Sequence, residues 1–136
     1  DIAHWFMHDK TREAEQRQHK VEEAQLARQS TKMAAAIRLM RENLEDPIPP
    51  LELAKHANCS LRQLERLFKK HQQTTLQGYY LSLRLDQARR YVTQSGMPLF
   101  DIVVAVGFVS QSHFSKCYRD KFGLSPAVDR KQNSEG

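Results

Sequence analysis

No apolar run in the chain approaches the roughly 20 residues that a membrane-spanning helix needs, and no span is expected. Its start lacks the basic flank, apolar stretch and small-residue cleavage site of a secretory signal. Cysteine is scarce, with only Cys59 and Cys117. Both fall where helical spacing puts an apolar side, so buried reduced thiols are expected rather than a disulfide. There is no glycine-rich phosphate loop and no His-Glu-x-x-His run. His4 and His8 stand four apart, a spacing that holds zinc when a third ligand approaches, but no ligand cluster accompanies them and they read as a surface pair. His113 and Cys117 form the remaining nucleophile–base spacing, which reduces to one surface and one core residue if Cys117 is buried. The expectation is a soluble intracellular protein, not an enzyme, without catalytic residues, metal or cofactor.

What the chain does have is basic charge, unevenly placed. Of 136 residues, 21 are Lys or Arg and 16 Asp or Glu, for a net charge of +5. Residues 1–32 hold six of each sign, so the whole excess lies in residues 33–136. Such an excess favours a polyanionic partner. A start at Asp1 rather than Met suggests a piece of a longer protein.

Ile2, Trp5 and Phe6, with Met7 adjacent, fit a short amphipathic helix over residues 1–10. From Thr11 to Arg28 the composition turns to Glu, Gln, Arg and Lys, which reads as a solvated helix or linker, not a core element. Ser30 or Thr31 caps a helix to about Leu44, with Met33, Ala36, Ile37 and Met40 on its buried stripe. Pro49 and Pro50 fit the start of the next helix, whose apolar side is Leu51, Leu53, Ala54 and Ala57, and Asn58 ends it in the left-handed conformation. Ser60 and Gln63 make a capping pattern for a helix through His71 that buries Leu61, Leu64, Leu67 and Phe68. Thr74 with Gln77 repeats that pattern and opens the longest helix, Leu76 to Thr93, a strut buried on more than one side. Pro98 opens a short apolar helix, Gly107 takes the positive φ of a sharp turn, and Ser110 caps a polar-faced helix to Phe122. Gln111, Ser112, Ser115, Lys116 and Arg119 leave that helix polar and partly basic, which suits a DNA major groove. Ser125-Pro126 begins a last short helix, and Lys131 to Gly136 look like a frayed tail.

These helix-turn-helix patterns repeat. Pro49 matches Pro98, Leu53 matches Ile102, Ala54 matches Val103, Ala57 matches Val106 and Asn58 matches Gly107, all 49 apart. Past the turn, Ser60 matches Ser110, Leu64 matches Phe114, Phe68 matches Tyr118 and Lys69 matches Arg119, now 50 apart, so the second turn is one residue longer. The fold class expected is all-α: two helix-turn-helix subdomains joined by a long connecting helix, preceded by an N-terminal helical linker.

From Met33 to Arg130 the chain resembles the AraC/XylS family of bacterial transcription regulators, most specifically in Ser60–Lys69, Arg84–Arg90, Val106–Lys116 and Phe122–Pro126. The resemblance implies a seven-helix domain whose two recognition helices, about 61–71 and 111–122, enter successive major grooves of double-stranded promoter DNA. Carried over by motif position, base reading falls on Arg62, Glu65 and Arg66 in the first unit and on Gln111, Ser112, His113 and Lys116 in the second. His113 is equally a partner of Ser110 in the capping turn. Lys69, Lys70 and Arg119 lie later in the helices and suit phosphates or simple solvation. Trp5-Phe6-Met7-His8-Asp9 resembles the end of the glutamine-amidotransferase-like (PfpI-type) domain of the GlxA-type branch. The division is therefore 1–29 as the end of that domain and a linker, 30–131 as the DNA-binding domain with units at about 47–72 and 98–123, and 132–136 as tail. The family also implies RNA polymerase and a small-molecule effector as partners of the full-length protein, the effector acting through a domain outside this chain, no membrane partner, and a bacterial cytoplasmic location on the nucleoid when DNA-bound. Asp129 departs from the family, which tends to have Tyr there, and looser packing of the last helix is expected. The rival class is a helical protein-interaction module that binds an acidic partner through its basic face.

Overall fold

Helices and no strand make up residues 9–135, the part of the chain described in a computed structural model. They run α1 (Asp9–Gln29), α2 (Thr31–Glu42), α3 (Pro50–His56), α4 (Leu61–Gln72), α5 (Leu76–Gln94), α6 (Leu99–Ala105), α7 (Gln111–Phe122) and α8 (Pro126–Glu135). The amphipathic pattern at Ile2, Trp5 and Phe6 and the His4–His8 pair lie outside the described residues.

Two apolar cores share one strut. Met33, Ala36, Ile37 and Met40 of α2 meet Leu53, Ala54, Leu64 and Phe68 of α3 and α4 over Leu76, Tyr80 and Leu83 of α5. From two residues further on, Leu85, Ala88 and Val92 of the same helix carry Ile102, Val103, Val106, Phe108, Phe114 and Tyr118 of the second unit. An interior helix with apolar residues on several sides can serve both cores at once. At 19 residues α5 is nevertheless not the longest helix, because α1 has 21. Its cap is Thr75, whose Oγ1 accepts from Gly78 N–H at 3.0 Å, rather than Thr74. The helix starts at Leu76, and only the residue directly before it has the extended backbone of a cap.

The repeat is reproduced in backbone detail. Pro49 and Pro98 cap α3 and α6 with nearly the same dihedrals, φ −60 and ψ 147 against φ −56 and ψ 144. Each short helix ends on a left-handed residue, Asn58 at φ 59 and Gly107 at φ 79. The next N–H reaches back five residues both times, Cys59 to Ala54 O at 3.1 Å and Phe108 to Val103 O at 3.0 Å. That pair of bonds satisfies carbonyls a helix end would otherwise leave open. The extra residue of the second turn is Val109, which stands wholly exposed before Ser110.

Four expectations need correction. Leu51 lies off the arc of Leu53, Ala54 and Ala57 and is 64% exposed. Cys59 and Cys117 are free but only half-buried. α1 is more than a solvated linker: Leu26 enters the first core, Glu22 accepts from Arg41 of α2 at 2.8 Å, and Glu15 pairs with Arg90 of α5 at 3.3 Å. One leucine and two carboxylates on the inward side suffice, and average composition hides them. Finally, α8 runs to Glu135, through most of the stretch read as frayed, and is firmly tied. Asp129 is 1% exposed and its carboxylate accepts from Tyr118 Oη at 2.6 Å, Arg89 Nε at 3.1 Å and Asn133 Nδ2 at 2.9 Å. The neighbouring Arg130 donates to the carbonyls of Val92, Tyr91 and Ser95, fastening α8 to the end of α5. A buried carboxylate with three donors is stable where an unpaired one would be costly, so Asp129 anchors α8 instead of loosening it.

Candidate nucleic-acid interface

Each polar-faced helix is fixed from behind by two large apolar side chains and at its start by a serine. In α4, Leu64 and Phe68 are fully buried, and Ser60 Oγ accepts from Gln63 N–H at 3.1 Å. In α7 the pair is Phe114 and Tyr118, and Ser110 Oγ accepts from His113 N–H at 3.2 Å. The buried pairs, four residues apart, aim the opposite face of each helix at solvent. Arg62, Arg66, Lys69 and Lys70 stand exposed on α4, and Gln111, Ser112, His113, Lys116 and Arg119 on α7.

Not all of these side chains are equally free. Glu65 is half-buried, and its Oε1 accepts from the backbone N–H of Leu76 at 2.9 Å. It therefore closes the first turn of α5, where a carboxylate offsets the positive end of the helix. Lys116 pairs with Asp120 one turn on at 3.0 Å, and this hydrogen bond holds its ammonium above the usual lysine range. His113 fills the capping turn through its backbone N–H, which leaves its imidazole beside Phe108, ring centres 5.5 Å apart, with Nε2 3.4 Å from Cys117 Sγ.

The relative placement of the two units has its own machinery, most of which carries no role in the sequence pattern. Arg84, midway along α5, donates from Nε to Val106 O at 2.8 Å and from Nη2 to Gly107 O at 2.7 Å. Its guanidinium also lies 4.3 Å from the centre of the Phe108 ring. Only the planar fork of arginine can serve two adjacent carbonyls and a ring together. Burial lowers its pKa from the ordinary arginine value. On the other side of this turn, a Cβ at Gly107 would collide with the carbonyl oxygen of Leu44 and come within 3.0 Å of Pro47 Cγ. Leu44 and Pro47 belong to the loop before α3, so the turn of the second unit seats directly on the first. Tyr80 secures that loop, its Oη donating to Asn43 O and accepting from Ile48 N–H at 3.0 Å. Arg84 lies within the Arg84–Arg90 motif, but neither its fork nor the close approach at Gly107 has a local sequence signal, since the partners of both lie far away in the chain.

Two rigid, capped, polar-faced helices on one strut define a double helix-turn-helix protein. The profile of a family described as a helix-turn-helix domain matches residues 53–132. The regulator GbdR of Pseudomonas aeruginosa is 40% identical over 129 residues, 95% of this chain and 35% of that protein. GlxA of Rhizobium meliloti is 28% identical over 132 residues, 97% of this chain and 41% of that protein. A solved transcriptional regulator from Chromobacterium violaceum, described as of AraC-type DNA-binding domain-containing proteins, is 39% identical, with a TM-score of 0.73 over 76% of this chain and 93% of that one. The chain belongs to the AraC family of helix-turn-helix transcription regulators. It spans about two fifths or less of the curated relatives it matches.

Proposed function

We propose that the chain binds double-stranded promoter DNA sequence-specifically, laying α4 and α7 in successive major grooves. The observation that carries this reading is the pair of like helices presenting exposed arginines, lysine and amides, held in one orientation by α5, Arg84 and the Gly107 seat. Arginine reads guanine through two parallel hydrogen bonds, glutamine does the same for adenine, and lysine finds guanine acceptors. Arg62 and Arg66 read one half-site, and Gln111, Ser112, His113 and Lys116 the other. Glu65 supports α5 through one oxygen and has the second for a cytosine amine. Lys69, Lys70 and Arg119 hold phosphates and fix the register. Because the two helices differ in sequence, the two half-sites differ, and one chain grips both without dimerising.

The chain is no enzyme on this reading. In the full-length protein α1 connects the domain to an upstream amidotransferase-like domain that takes a small-molecule effector, and bound protein meets RNA polymerase on the nucleoid in the bacterial cytoplasm. The test is a base-pair scan of a site selected from random DNA. Arg66→Ala relaxes discrimination in one half-site and Lys116→Ala in the other, each by about 1–3 kcal/mol per base contact, with unchanged circular dichroism melts. Weak, sequence-indifferent binding by the unaltered chain would instead favour a module for an acidic protein partner.

A further inference from the structure

We infer that Val109 is a specificity-determining residue that reads the 5-methyl group of a thymine in the half-site served by α7. This inference rests on the proposed binding mode and deepens it. Val109 is the one residue by which the second turn exceeds the first, the step between the matched pairs Asn58–Gly107 and Ser60–Ser110. The turn closes in the same way without it, since the Phe108 N–H already makes the bond that Cys59 makes in the first unit. Its side chain gives nothing to the core either, being fully exposed at 102%, the highest value among the exposed large apolar residues of the described part of the chain.

Its position gives it a use. Val109 directly precedes Ser110, the cap of α7, and is followed by the exposed Gln111 and Ser112 of the first turn. The start of a recognition helix is the part that meets base edges. Valine neither donates nor accepts hydrogen bonds, and the one apolar group on a major-groove edge is the thymine methyl. A β-branched side chain has few rotamers to lose on contact, so it presents its methyl groups at small entropic cost. In the first unit Cys59 leads straight into Ser60, so the thymine preference belongs to the second half-site alone.

Deoxyuridine lacks only the 5-methyl group and leaves base pairing intact. Each thymine of a site selected from random DNA is replaced singly by deoxyuridine, and binding is measured for the unaltered chain and for Val109→Ala. In the half-site read by α7, one replacement weakens the unaltered chain about fourfold, the factor that burial of a single methyl group corresponds to. The same replacement weakens Val109→Ala, already weaker on thymine and two methyl groups shorter, by clearly less. Equal sensitivity of both proteins at every thymine, or insensitivity of both, overturns the inference while the binding mode stands. A Val109→Ala loss that is uniform over all sequences places the side chain against the sugar-phosphate backbone and overturns it too. Failure to select any sequence sinks the binding mode itself, and the inference with it. Because the Val109 side chain is fully exposed, coincident melts of the two proteins separate binding from stability.

Discussion

Gly107 carries two burdens that no other residue type meets together. Its φ of 79 lies in the left-handed region, and its missing Cβ admits the Leu44 carbonyl and Pro47 of the first unit. The matched Asn58 has the same kind of backbone without the same demand, which is why asparagine suffices there. Gly107→Ala is expected to cost about 2–4 kcal/mol, from the left-handed penalty together with displacement of a packed backbone, read as a fall in the urea midpoint. Asp129 is the second sensitive residue. Asp129→Ala leaves Tyr118 Oη without its acceptor in the core and Arg89 without its partner. The loss expected is about 2 kcal/mol, because an orphaned buried donor bears its desolvation penalty while half-exposed Arg89 is compensated by water. The burial and hydrogen bond that hold the Tyr118 phenol far above its usual range keep it a donor at any working pH. Neither residue shows its role in the sequence. A glycine in a turn announces positive φ, but a close approach to residues far earlier in the chain leaves no local mark, and an aspartate in a short terminal helix reads as solvated until its partners on α5 and α7 are known.

At the scale of elements, the helices are legible wherever a buried stripe and a cap coincide. Ser30, Ser60 and Ser110 all cap as their positions imply, and the proline starts and left-handed ends of α3 and α6 follow from residue type alone. Legibility fails at α1 and α8, where polar side chains do the packing and apolar periodicity is therefore blind. Docking of α1 has a consequence for pH. His19 is half-buried on α1, and burial together with Arg41 and Arg90 lowers its pKa below the ordinary 6.5, with Glu22 and Glu23 opposing. Folding thus disfavours its charged form: well above pH 6.5 neither the docked nor the undocked helix binds a proton there and stability is full. As pH falls below that value the undocked form gains a proton first, and docking weakens until the depressed folded value is passed. Hydrogen exchange in α1, corrected for intrinsic rates, should rise over that interval while α5 stays protected, and His19→Gln should abolish the rise.

For the whole molecule, the repeat is the most informative feature of the sequence, because residue type and spacing alone tie the two turns to each other. What it does not reveal is how rigidly the units are joined. Shared burial on α5, the Arg84 fork and the seat at Gly107 make the pair one body, and the distance between recognition helices becomes a fixed property of the protein. On the proposed binding mode the DNA must present its half-sites at that spacing, and successive major grooves on one face of the duplex lie about 34 Å, one helical turn, apart. The decisive measurement is the affinity of the chain for a selected site compared with the same site carrying about five additional base pairs between its halves, roughly half a turn of the duplex. Rigid coupling predicts that the insertion turns one half-site to the far face and reduces binding to that of a single half-site. Affinity for the lengthened site equal to that for the original would contradict it.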